Sequence, residues 1–584
     1  MASKGKDKDA QDVQIIEVDL ARVEAALARI EAAVGGEDYT LVKELAQSYL
    51  LLLRLVRQRG TTIARLRRLA GLASSEKTAD VVGGQPGADG GPGGDGAAGE
   101  AVGGVGTADT STAAGADASA AGEGTAAGTP PAGKTKQKGH GRVPTSAYPE
   151  AQHIAVPHPD LHVGDLCPGC GRGKLYRLPE PARFLRIIGQ APLVAVCHDC
   201  ERLRCGGCGA VFTAPAPPEA QGPKYSETAV SMMALLRYGA GMPLNRLDKL
   251  QGALQTPVPS STQWQVVNER ASVFEPVYRD LVWLAAQGSI MHNDDTYVRI
   301  LALMGKRRAK LLARGELEDP ERTGLFTTGV VSVTDDKRPI ALFFSGRKHA
   351  GENLADLLDQ RAADLPPPIQ MSDALSRNLP KGHTVIESNC LAHGRRQIVD
   401  EAENFPDECR HVLKQLGEVY KVDNRCRKLG LSDEERLHVH LAESASVMAG
   451  LREWMQAQLD DKRVEPNSGL GEAFNYMLKR WDKLTLFLRV PGAALDNNIV
   501  ERALKQAIRH RNNSLFYRSE RGAKVGDMFM SLIYTALLHD ENPFNYLTAL
   551  QLNADAVAER PGDWLPWNYR STLAAATESS AAAA

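Results

Sequence analysis

The sequence predicts a multidomain α/β protein, and three observations support that fold class. At 584 residues the chain is too long for one hydrophobic core, so we expect three or four folded units. Short apolar or alternating runs separated by turns, which are typical of strands, are concentrated between residues 286 and 399. The regions on either side, 221–285 and 400–490, show helical periodicity instead.

The N-terminal residues 1–73 are predicted to be helical and to oligomerise as a coiled coil. Two heptad stretches, Val13 to Val34 and Leu45 to Leu66, are separated by two glycines. Apolar residues at alternating steps of three and four place one stripe on one helix face, and such a stripe needs a partner. That partner is either a second chain or, in a helical hairpin, the other heptad stretch of the same chain.

Residues 74–145 are predicted to form a disordered Gly/Ala-rich linker with a basic end. The part from 74 to 133 holds eight acids and one lysine but no aromatic residue, so it cannot build a core. The whole chain has a formal charge of -2, but without residues 74–133 the charge is about +5, which is compatible with a nucleic-acid partner. The basic run from Lys134 to Arg142 is either a solvated tail or a non-specific phosphate contact.

The chain shows no membrane or export signal. No apolar run reaches the roughly 18 residues that a membrane span requires, and the N-terminus lacks the apolar stretch of a signal peptide. We therefore expect a cytoplasmic protein. In that compartment its nine cysteines are expected to be metal ligands or core residues rather than disulfides.

Residues 146–220 are predicted to form a zinc-binding module. Three Cys-x-x-Cys pairs occur there: Cys167/Cys170, Cys197/Cys200 and Cys205/Cys208. Tetrahedral zinc needs four ligands, and two such pairs supply four thiolates. The first and third pairs are followed by glycine, which permits the tight turn of a zinc knuckle, so we assign Cys167, Cys170, Cys205 and Cys208 to structural Zn²⁺. The middle pair is either a second choice or part of an incomplete second site.

Residues 221–285 resemble three short helices with sharp turns. Ser226 caps the first, the second covers Leu244–Gly252, and Ser260 begins the third. This is the outline of a helix-turn-helix-like DNA-binding region. A plain helical spacer fits the periodicity equally well.

The strand-rich region has the element order of a ribonuclease-H-like core. Three strands come first, over residues 290–301, 324–334 and 339–345, followed by a helix over 350–361 and short strands at 369–373 and 384–387. Three strands, helix, strand, helix, strand is the ribonuclease-H-like order. In it, an acid on the first strand and an acid that ends the fourth lie side by side.

The core is predicted to span residues 286–399 and 491–540, with a helical insertion at 400–490 and a C-terminal tail at 541–584. After Pro491-Gly492, Asp496 or Asn497 caps a helix that carries Glu501 in its first turns. A helix docked on the sheet brings a third carboxylate to the other two. Such a cluster of anions is stabilised by two divalent ions, which would make it a site for phosphoryl transfer.

Several motifs together resemble insertion-sequence transposases of the IS66 (TnpC) family. The motifs are His292-Asn-Asp-Asp-Thr296, Cys390-Leu-Ala-His393-Gly-Arg-Arg396, Asp496-Asn-Asn-Ile-Val-Glu501-Arg502, Pro243-Leu-Asn-Arg, the first zinc knuckle and Trp564-Leu-Pro-Trp-Asn-Tyr569. They cover most of residues 160–570. The resemblance implies a bacterial DDE transposase located with the nucleoid, whose catalytic acids fall on Asp294, Asp373 and Glu501.

The resemblance also implies the cofactors and partners. Two Mg²⁺ or Mn²⁺ ions are expected, one held by Asp294 and Asp373 and the other by Asp294 and Glu501, to activate water and stabilise the departing 3′ oxygen. The implied partners are the terminal inverted repeats and target DNA, a second copy of the chain and companion proteins of the same element.

Further residues of these motifs are expected to assist the three acids. Support is expected from Asp295, His393, Arg396, Asn498 and Arg502, and DNA contacts from Arg395, Lys505, Arg509 and Arg511. Cys390 and His393 have a second interpretation, as a small core residue and a hydrogen-bonded structural histidine.

Two other functions remain open at this stage. One is a ribonuclease-H-like DNA nuclease that cuts without strand transfer, and the other is a domesticated or inactive zinc-containing DNA-binding protein.

Overall fold

A computed structural model describes residues 148–149, 151–179, 185–208, 210–317 and 319–583. The predicted coiled coil (1–73) and linker (74–145) lie outside the described residues. The described chain divides into two compact units. The first contains residues 278–508 and 516–540, and the second contains the described residues up to Val277 together with 509–515 and 541–583.

The N-terminal part of the second unit begins with a small hairpin. Strands β1 (Arg202–Arg204) and β2 (Val211–Thr213) pair antiparallel, and all six of their side chains are exposed. Three helices follow: α1 (Glu227–Ala234), α2 (Leu244–Ala253) and α3 (Ser260–Ala286). The backbone N–H of Ala229 donates to the Ser226 hydroxyl at 3.3 Å, which confirms the predicted serine cap.

The third of these helices differs from the short helix that was predicted. It runs for 27 residues because its buried apolar positions, including Val267, Phe274 and Leu281, continue past Pro276 at helical spacing. The predicted compact group of three short helices is therefore wrong in the length of its last member.

The first unit contains a five-stranded mixed sheet. Its strands are β3 (Ile290–Tyr297), β4 (Phe326–Val333), β5 (Pro339–Gly346), β6 (Ile369–Ser372) and β7 (Ile386–Asn389), in the order β5-β4-β3-β6-β7. The predicted meander is present, because β3, β4 and β5 pair antiparallel. The last two strands run parallel to β3.

Two connections in the sheet differ from the predicted order. Helix α4 (Gly305–Ala313) interrupts the meander between β3 and β4 and was not predicted. Helix α5 (Ala350–Leu358) lies where a helix was expected. Between β6 and β7, in contrast, the expected helix is absent from the described chain, and the short link forms only a 3₁₀ turn at Ser376–Asn378.

The helices between β7 and the end of the sheet domain match the predicted helical texture of 400–490. They are α6 (Leu391–Asp400), α7 (Pro406–Lys428), α8 (Asp433–Glu443), α9 (Ala445–Asp460), α10 (Gly469–Lys479) and α11 (Trp481–Leu484). All of them except α8 contribute apolar side chains to one buried cluster, which also contains Ile290 and Ile369 of the sheet. The insertion therefore packs against the strands that carry the predicted acids.

The remaining helices are α12 (Asn498–Ser514), α13 (Glu520–Leu538), α14 (Pro543–Leu552), α15 (Ala554–Glu559) and α16 (Tyr569–Ala583). The last three form the segment that was predicted only as a C-terminal tail. In the second unit the side-chain amide of Gln551 donates to the Ser231 hydroxyl at 2.8 Å, which joins α14 to α1. No helix in the described part of the chain combines the length and apolar character needed to cross a bilayer.

Helix α13 covers the open edge of strand β5. The backbone N–H groups of Ala341, Phe343 and Ser345 donate to side chains of α13 at distances from 2.7 to 3.1 Å. An uncovered edge strand would leave such donors available for pairing with another chain. The hydroxyl and carboxylate side chains of α13 satisfy them instead.

Helix α12 approaches the sheet closely at Gly329, a glycine of β4 directly paired with Asp294. A Cβ atom built at Gly329 would lie 2.9 Å from Cγ of Leu504 and 3.2 Å from a methyl group of Val500. The glycine therefore leaves the space in which the helix carrying Glu501 packs against the strands.

We predict that Gly329→Val lowers the free energy of unfolding by about 1–3 kcal/mol, because overpacking forces Leu504 and Val500 away from the sheet. Gly346→Val is the matched control, since a Cβ at Gly346 meets no atom within 4 Å. Its effect should stay within about 0.5 kcal/mol. Urea denaturation of the two variants measures both values, and equal effects would contradict the close approach.

Candidate active site

The first two predicted acids lie side by side on neighbouring strands, just past the end of the pairing between β3 and β6. Asp294 is on β3, and Asp373 directly follows β6, which is parallel to β3. The pairing aligns His292 with Met371, so the same register continued by two residues sets Asp294 level with Asp373. Adjacent strands are about 4.8 Å apart, which places both carboxylates at the same edge of the sheet.

The other predicted acids lie close enough to Asp294 to affect its ionisation. Burial and the negative charges of Asp373, Asp295 and Glu501 together raise the pKa of Asp294 to about 7. The backbone N–H of Asp295 donates to Asp294 at 2.8 Å and acts in the opposite direction. At neutral pH this carboxyl group is thus poorly stabilised as an anion unless a cation is nearby.

The neighbouring Asp295 points to the other face of the sheet. Its carboxylate accepts a hydrogen bond at 3.3 Å from the backbone N–H of Ala350 at the start of α5. His349 and Arg377 lie 3.1 and 3.3 Å from the same carboxylate, whose side chain is only 2% exposed. Asp295 therefore fixes a helix start, and strand alternation leaves Asp294 as the acid at the active edge.

Asp373 is held by the turn that follows it. The side-chain amide of Asn378 donates to Oδ1 of Asp373 at 2.7 Å, and the backbone N–H of Leu375 donates to the same oxygen at 3.1 Å. Ala374 adopts a φ of +70°, which turns the chain sharply after the acid. Asn378 is itself fully buried, and its carbonyl accepts from the amide of Asn293 at 2.7 Å.

Glu501 comes from α12, more than a hundred residues after the other acids. Its backbone N–H donates to the carbonyl of Asn497 at 3.2 Å in the first turn of the helix. Nδ1 of His393 lies 3.6 Å from Oε1 of Glu501, and a guanidinium nitrogen of Arg396 lies 3.6 Å from Oε2. The structure thus brings both predicted supporting residues of α6 to the predicted catalytic glutamate.

A buried polar network anchors the start of α12. Asn497 is fully buried, and its backbone N–H donates to the sulfur of Cys390 at 3.2 Å. Its side chain contacts the carbonyl of Asn293 and Nδ1 of His292, both at 3.1 Å. Burial lowers the pKa of His292 to about 4, so this imidazole is neutral near pH 7. Strand β3, the end of β7 and α12 are therefore joined beside the acids.

Other predicted supporting residues act less directly. The backbone N–H of Asn498 donates to the Asp496 carboxylate at 3.1 Å, a turn that begins α12. Arg502 is exposed, and its charge lowers the pKa of Asp496 against the larger raising effect of burial. Neither residue is brought to the acids by any described contact.

The predicted DNA-binding residues differ in exposure. Lys505 is exposed on α12, and Arg395 is half-buried on α6. In the second unit, Arg509 is exposed and donates to the carbonyl of Gly239 at 3.4 Å, while Arg511 is half-buried.

The structure does not assemble the predicted zinc ligands. Across the described residues, the one group of at least three His, Cys, Asp or Glu whose donor atoms all lie within 4.8 Å is Cys390, His393 and Glu501. Cys167, Cys170, Cys205 and Cys208 therefore do not meet as a single site. Cys205 and Cys208 lie in the turn between β1 and β2, and all six residues of these two strands are exposed.

Each of these cysteine pairs nevertheless forms its own turn. The backbone N–H of Gly171 donates to the carbonyl of Cys167 at 2.7 Å, with Gly171 at a φ of +64°. Hydrogen bonds from the backbone of Gly173 and Arg172, and then from Cys167, lower the pKa of the Cys170 thiol. Backbone N–H groups directed at sulfur are typical of a metal knuckle.

Sequence reasoning missed Asn378 and foresaw only part of the role of Asn497. Asn378 is a fully buried amide that holds Asp373; Asn497, which was considered only as a helix cap, is also fully buried and hydrogen-bonded to strand β3. Buried polar side chains are nearly always hydrogen-bonded. Polar residues at the ends of otherwise apolar elements were the available signal, but their partners depend on the tertiary fold.

A cleft of about 480 Å³ adjoins the Asp373 turn. Its lining includes Ala374 and Ser376 from that turn, and Arg452, Lys479 and Arg480 from the insertion. The Tyr476 hydroxyl donates to the backbone carbonyl of Asp373 at 3.3 Å, which ties the insertion to the same turn. The lining also contains Lys483, Glu387 and Asp482, so its basic side chains outnumber its acidic ones by four to two.

The acids, their supporting residues and the insertion all lie within a segment that matches a known family. Residues 223–525 match the family described as "Transposase IS66 family". The match covers just over half of the chain, and the chain belongs to the IS66 transposase family. The resemblance inferred from the sequence motifs is confirmed.

Relatives of this chain occur in Sinorhizobium fredii (strain NBRC 101917 / NGR234). The protein named "Uncharacterized protein y4hP" is 26% identical over 445 residues, which are 70% of this chain and 74% of that protein. "Uncharacterized protein y4jD" is 30% identical over 185 residues, which are 31% of this chain and 35% of that protein. No solved structure gives a significant match.

The raised pKa of Asp294 predicts that Asp294→Asn raises the Tm, whereas the neighbouring substitution Asp295→Asn lowers it. Because its folded-state pKa of about 7 exceeds the ordinary 3.8, the folded protein loses stability as the pH rises through this interval. Asp294→Asn removes that cost, which is on the order of 4 kcal/mol above pH 7. In metal-free protein it should raise the Tm more at about pH 8 than at about pH 5.

Asp295→Asn is the control on the same strand. It weakens the contacts to Ala350, His349 and Arg377, and should lower the Tm at both pH values. An effect of Asp294→Asn that does not change with pH would show that its carboxylate is not destabilised by burial and neighbouring charge.

Proposed function

We propose that this protein is a DDE transposase that cleaves the ends of its insertion sequence and joins the freed 3′-OH groups to target DNA. The observation that carries the proposal is the convergence of Asp294, Asp373 and Glu501 from three distant segments. Membership of the IS66 transposase family supports the coarser role in transposition.

The sheet supports a ribonuclease-H-like core for this chemistry. Three antiparallel strands are followed by two strands parallel to the central β3. Asp294 lies within β3, just past its pairing with β6, and Asp373 is the residue after β6. Helix α12 adds Glu501 after the helical insertion. The core proposed from the sequence, 286–399 with 491–540 around an insertion at 400–490, is consistent with this arrangement.

The donor set fits magnesium or manganese. Carboxylate oxygens are the ligands that these hard cations prefer. Asp294 and Asp373 would hold one ion, and Asp294 and Glu501 the second. The three acids do not bring their donor atoms within 4.8 Å of one another as one group, which agrees with two ions rather than one. Bound there, the ions supply an activated water and charge stabilisation for the departing 3′ oxygen.

The protein's own residues position these acids. Asn378 holds one oxygen of Asp373, and the buried Asn497 fixes the start of the helix that carries Glu501. Arg396 flanks Glu501 and offers a guanidinium to a phosphate. The basic lining of the cleft beside Asp373 supports its use in positioning the DNA backbone.

The central prediction is that Asp294→Asn, Asp373→Asn and Glu501→Gln each abolish both end cleavage and joining. The expected loss is about 1000-fold or more, because metal-ion stabilisation of the transition state contributes several kcal/mol. The readout is cleavage and strand transfer of labelled inverted-repeat DNA with Mg²⁺. Asp356→Asn is the control. Asp356 is an exposed acid of helix α5 that pairs with Lys348, two residues before the helix.

Other outcomes of the same assay support other functions. Full activity of Glu501→Gln would reject the proposed site. Binding of the ends by the unmodified protein without any cleavage or joining would favour a DNA-binding protein without catalysis. Normal cleavage without any product from pre-cleaved ends and target DNA would favour a nuclease. The mass of the full chain on end DNA, measured by light scattering, tests the proposed homo-oligomer, which a mass of one chain would contradict.

We further propose that the cysteine-rich module and helices α1–α3 bind the element ends. The module is small and exposed, so its fold depends on the metal that its thiols bind. Cys205→Ser should weaken binding to inverted-repeat DNA by tenfold or more, which corresponds to about 1.4 kcal/mol. Fluorescence anisotropy with labelled ends measures the affinity.

Cys197→Ser is the comparison variant for this prediction, because Cys197 belongs to the cysteine pair not assigned to zinc. It should bind the ends like the unmodified protein. A loss with Cys197→Ser alone would transfer the site to the middle pair, and unchanged affinity of both variants would reject end binding by the module.

A further inference from the structure

The proposed catalytic glutamate, Glu501, lies close to two further metal-binding side chains, a cysteine and a histidine. Cys390 directly precedes α6, His393 lies in its first turn, and Glu501 lies in α12; their donor atoms are all within 4.8 Å of one another. A thiol sulfur, an imidazole nitrogen and a carboxylate oxygen are the donor types that zinc takes in proteins. Magnesium, in contrast, rarely binds sulfur or imidazole.

Two of the donor atoms have no hydrogen-bond partner. Nδ1 of His393 and Oε1 of Glu501 are both buried atoms without one. They are 3.6 Å apart, which is too far for a hydrogen bond. Two ligands bound at about 2.0–2.1 Å to one tetrahedral ion are separated by about 3.4 Å. The spacing therefore suits an ion between them better than a direct contact.

The third donor completes the same arrangement. Cys390 is fully buried, and its sulfur already accepts a hydrogen bond from the backbone N–H of Asn497. Such a bond to sulfur is typical of metal-bound thiolates, whose charge it helps to stabilise. The side chains of His393 and Glu501 are 25% and 23% exposed, so water has a route to a fourth coordination position.

The charges around the three donors are mixed. Burial, together with the negative charges of Asp496 and Glu501, raises the pKa of the Cys390 thiol to about 12, so a bound ion would have to displace the thiol proton. Arg396 opposes a cation, but it faces the other carboxylate oxygen, Oε2, and its side chain is 41% exposed. Oε1 is therefore directed to the cysteine and histidine, while Oε2 faces the arginine.

We propose that Cys390, His393 and Glu501 bind a divalent ion of the zinc type. This ion is additional to the two magnesium ions proposed at the carboxylates, and Glu501 would be shared between the two sites. The ion would join the end of strand β7 to helix α12 and would hold Glu501 from the side opposite Arg396. This inference does not depend on transposition activity, because the binding of the ion is measured by itself.

The test is the metal content of the full-length protein. Purified protein is stripped with chelator and reloaded with Co²⁺, and bound metal per chain is measured by mass spectrometry of the elements. Cys390→Ser and His393→Ala should each bind one ion fewer per chain than the unmodified protein. They should also lose part of the thiolate-to-cobalt absorption in the near ultraviolet.

Matched variants separate this site from the other cysteines and from folding defects. Cys409→Ser changes another fully buried cysteine and should keep the full metal content. The His393→Ala variant changes a half-buried side chain, so it tests the site even if Cys390→Ser unfolds. Metal content equal to that of the unmodified protein in folded Cys390→Ser and His393→Ala would overturn the proposal.

Asp294→Asn distinguishes this proposal from the proposed catalytic function. It removes a proposed magnesium ligand but none of the three zinc-type donors, so it should lose DNA cleavage and keep the cobalt ion. Loss of the cobalt ion in Asp294→Asn, with retention in His393→Ala, would assign the ion to the carboxylates and reject the site proposed here.

Discussion

Repulsion between converging carboxylates is the constraint on which the arrangement of this domain depends. Asp294, Asp373 and Glu501 come from segments far apart in sequence, and an unfolded chain would keep them separated in water. Folding instead removes Asp294 from solvent and places the other charges beside it, which raises its pKa to about 7. The surrounding fold must offset this cost by packing and hydrogen bonding, since the acids themselves favour separation.

Packing and buried amides supply that compensation. Gly329 lets α12 lie close to the sheet directly beside Asp294, so the apolar contacts of Val500 and Leu504 bring Glu501 with them. Asn378 and Asn497 then fix the acids through hydrogen bonds to backbone and side-chain groups. Both amides are fully buried, and the Asn497 side chain bonds both His292 and the backbone of Asn293, so replacing Asn497 leaves other buried groups without partners.

The sequence allowed the strand-level fold to be predicted, because apolar runs of four to eight residues bounded by turns are a local signal. For Asp294 and Asp295 the sequence shows only that the two side chains point to opposite faces of the strand. It does not show which of them faces the other acids. The contact of Asp295 with the start of α5 decides this, and that contact joins residues 55 positions apart. The length of α3 and the missing helix before β7 were likewise set by packing and link length rather than by local propensity.

Glu501 shows why residue type alone underdetermines a site of this kind. A glutamate in the first turns of an amphipathic helix is usually solvated, and the helix pattern places this one only on a face next to the packed stripe. In the folded chain its two oxygens have different neighbours: Oε1 is buried next to His393, whereas Oε2 faces Arg396. One carboxylate therefore lies between the donors Cys390 and His393 on one side and a guanidinium on the other. Its orientation depends on Cys390 and His393, which precede it by more than a hundred residues, and the chemistry of the acids therefore depends on how β7 and α6 are placed.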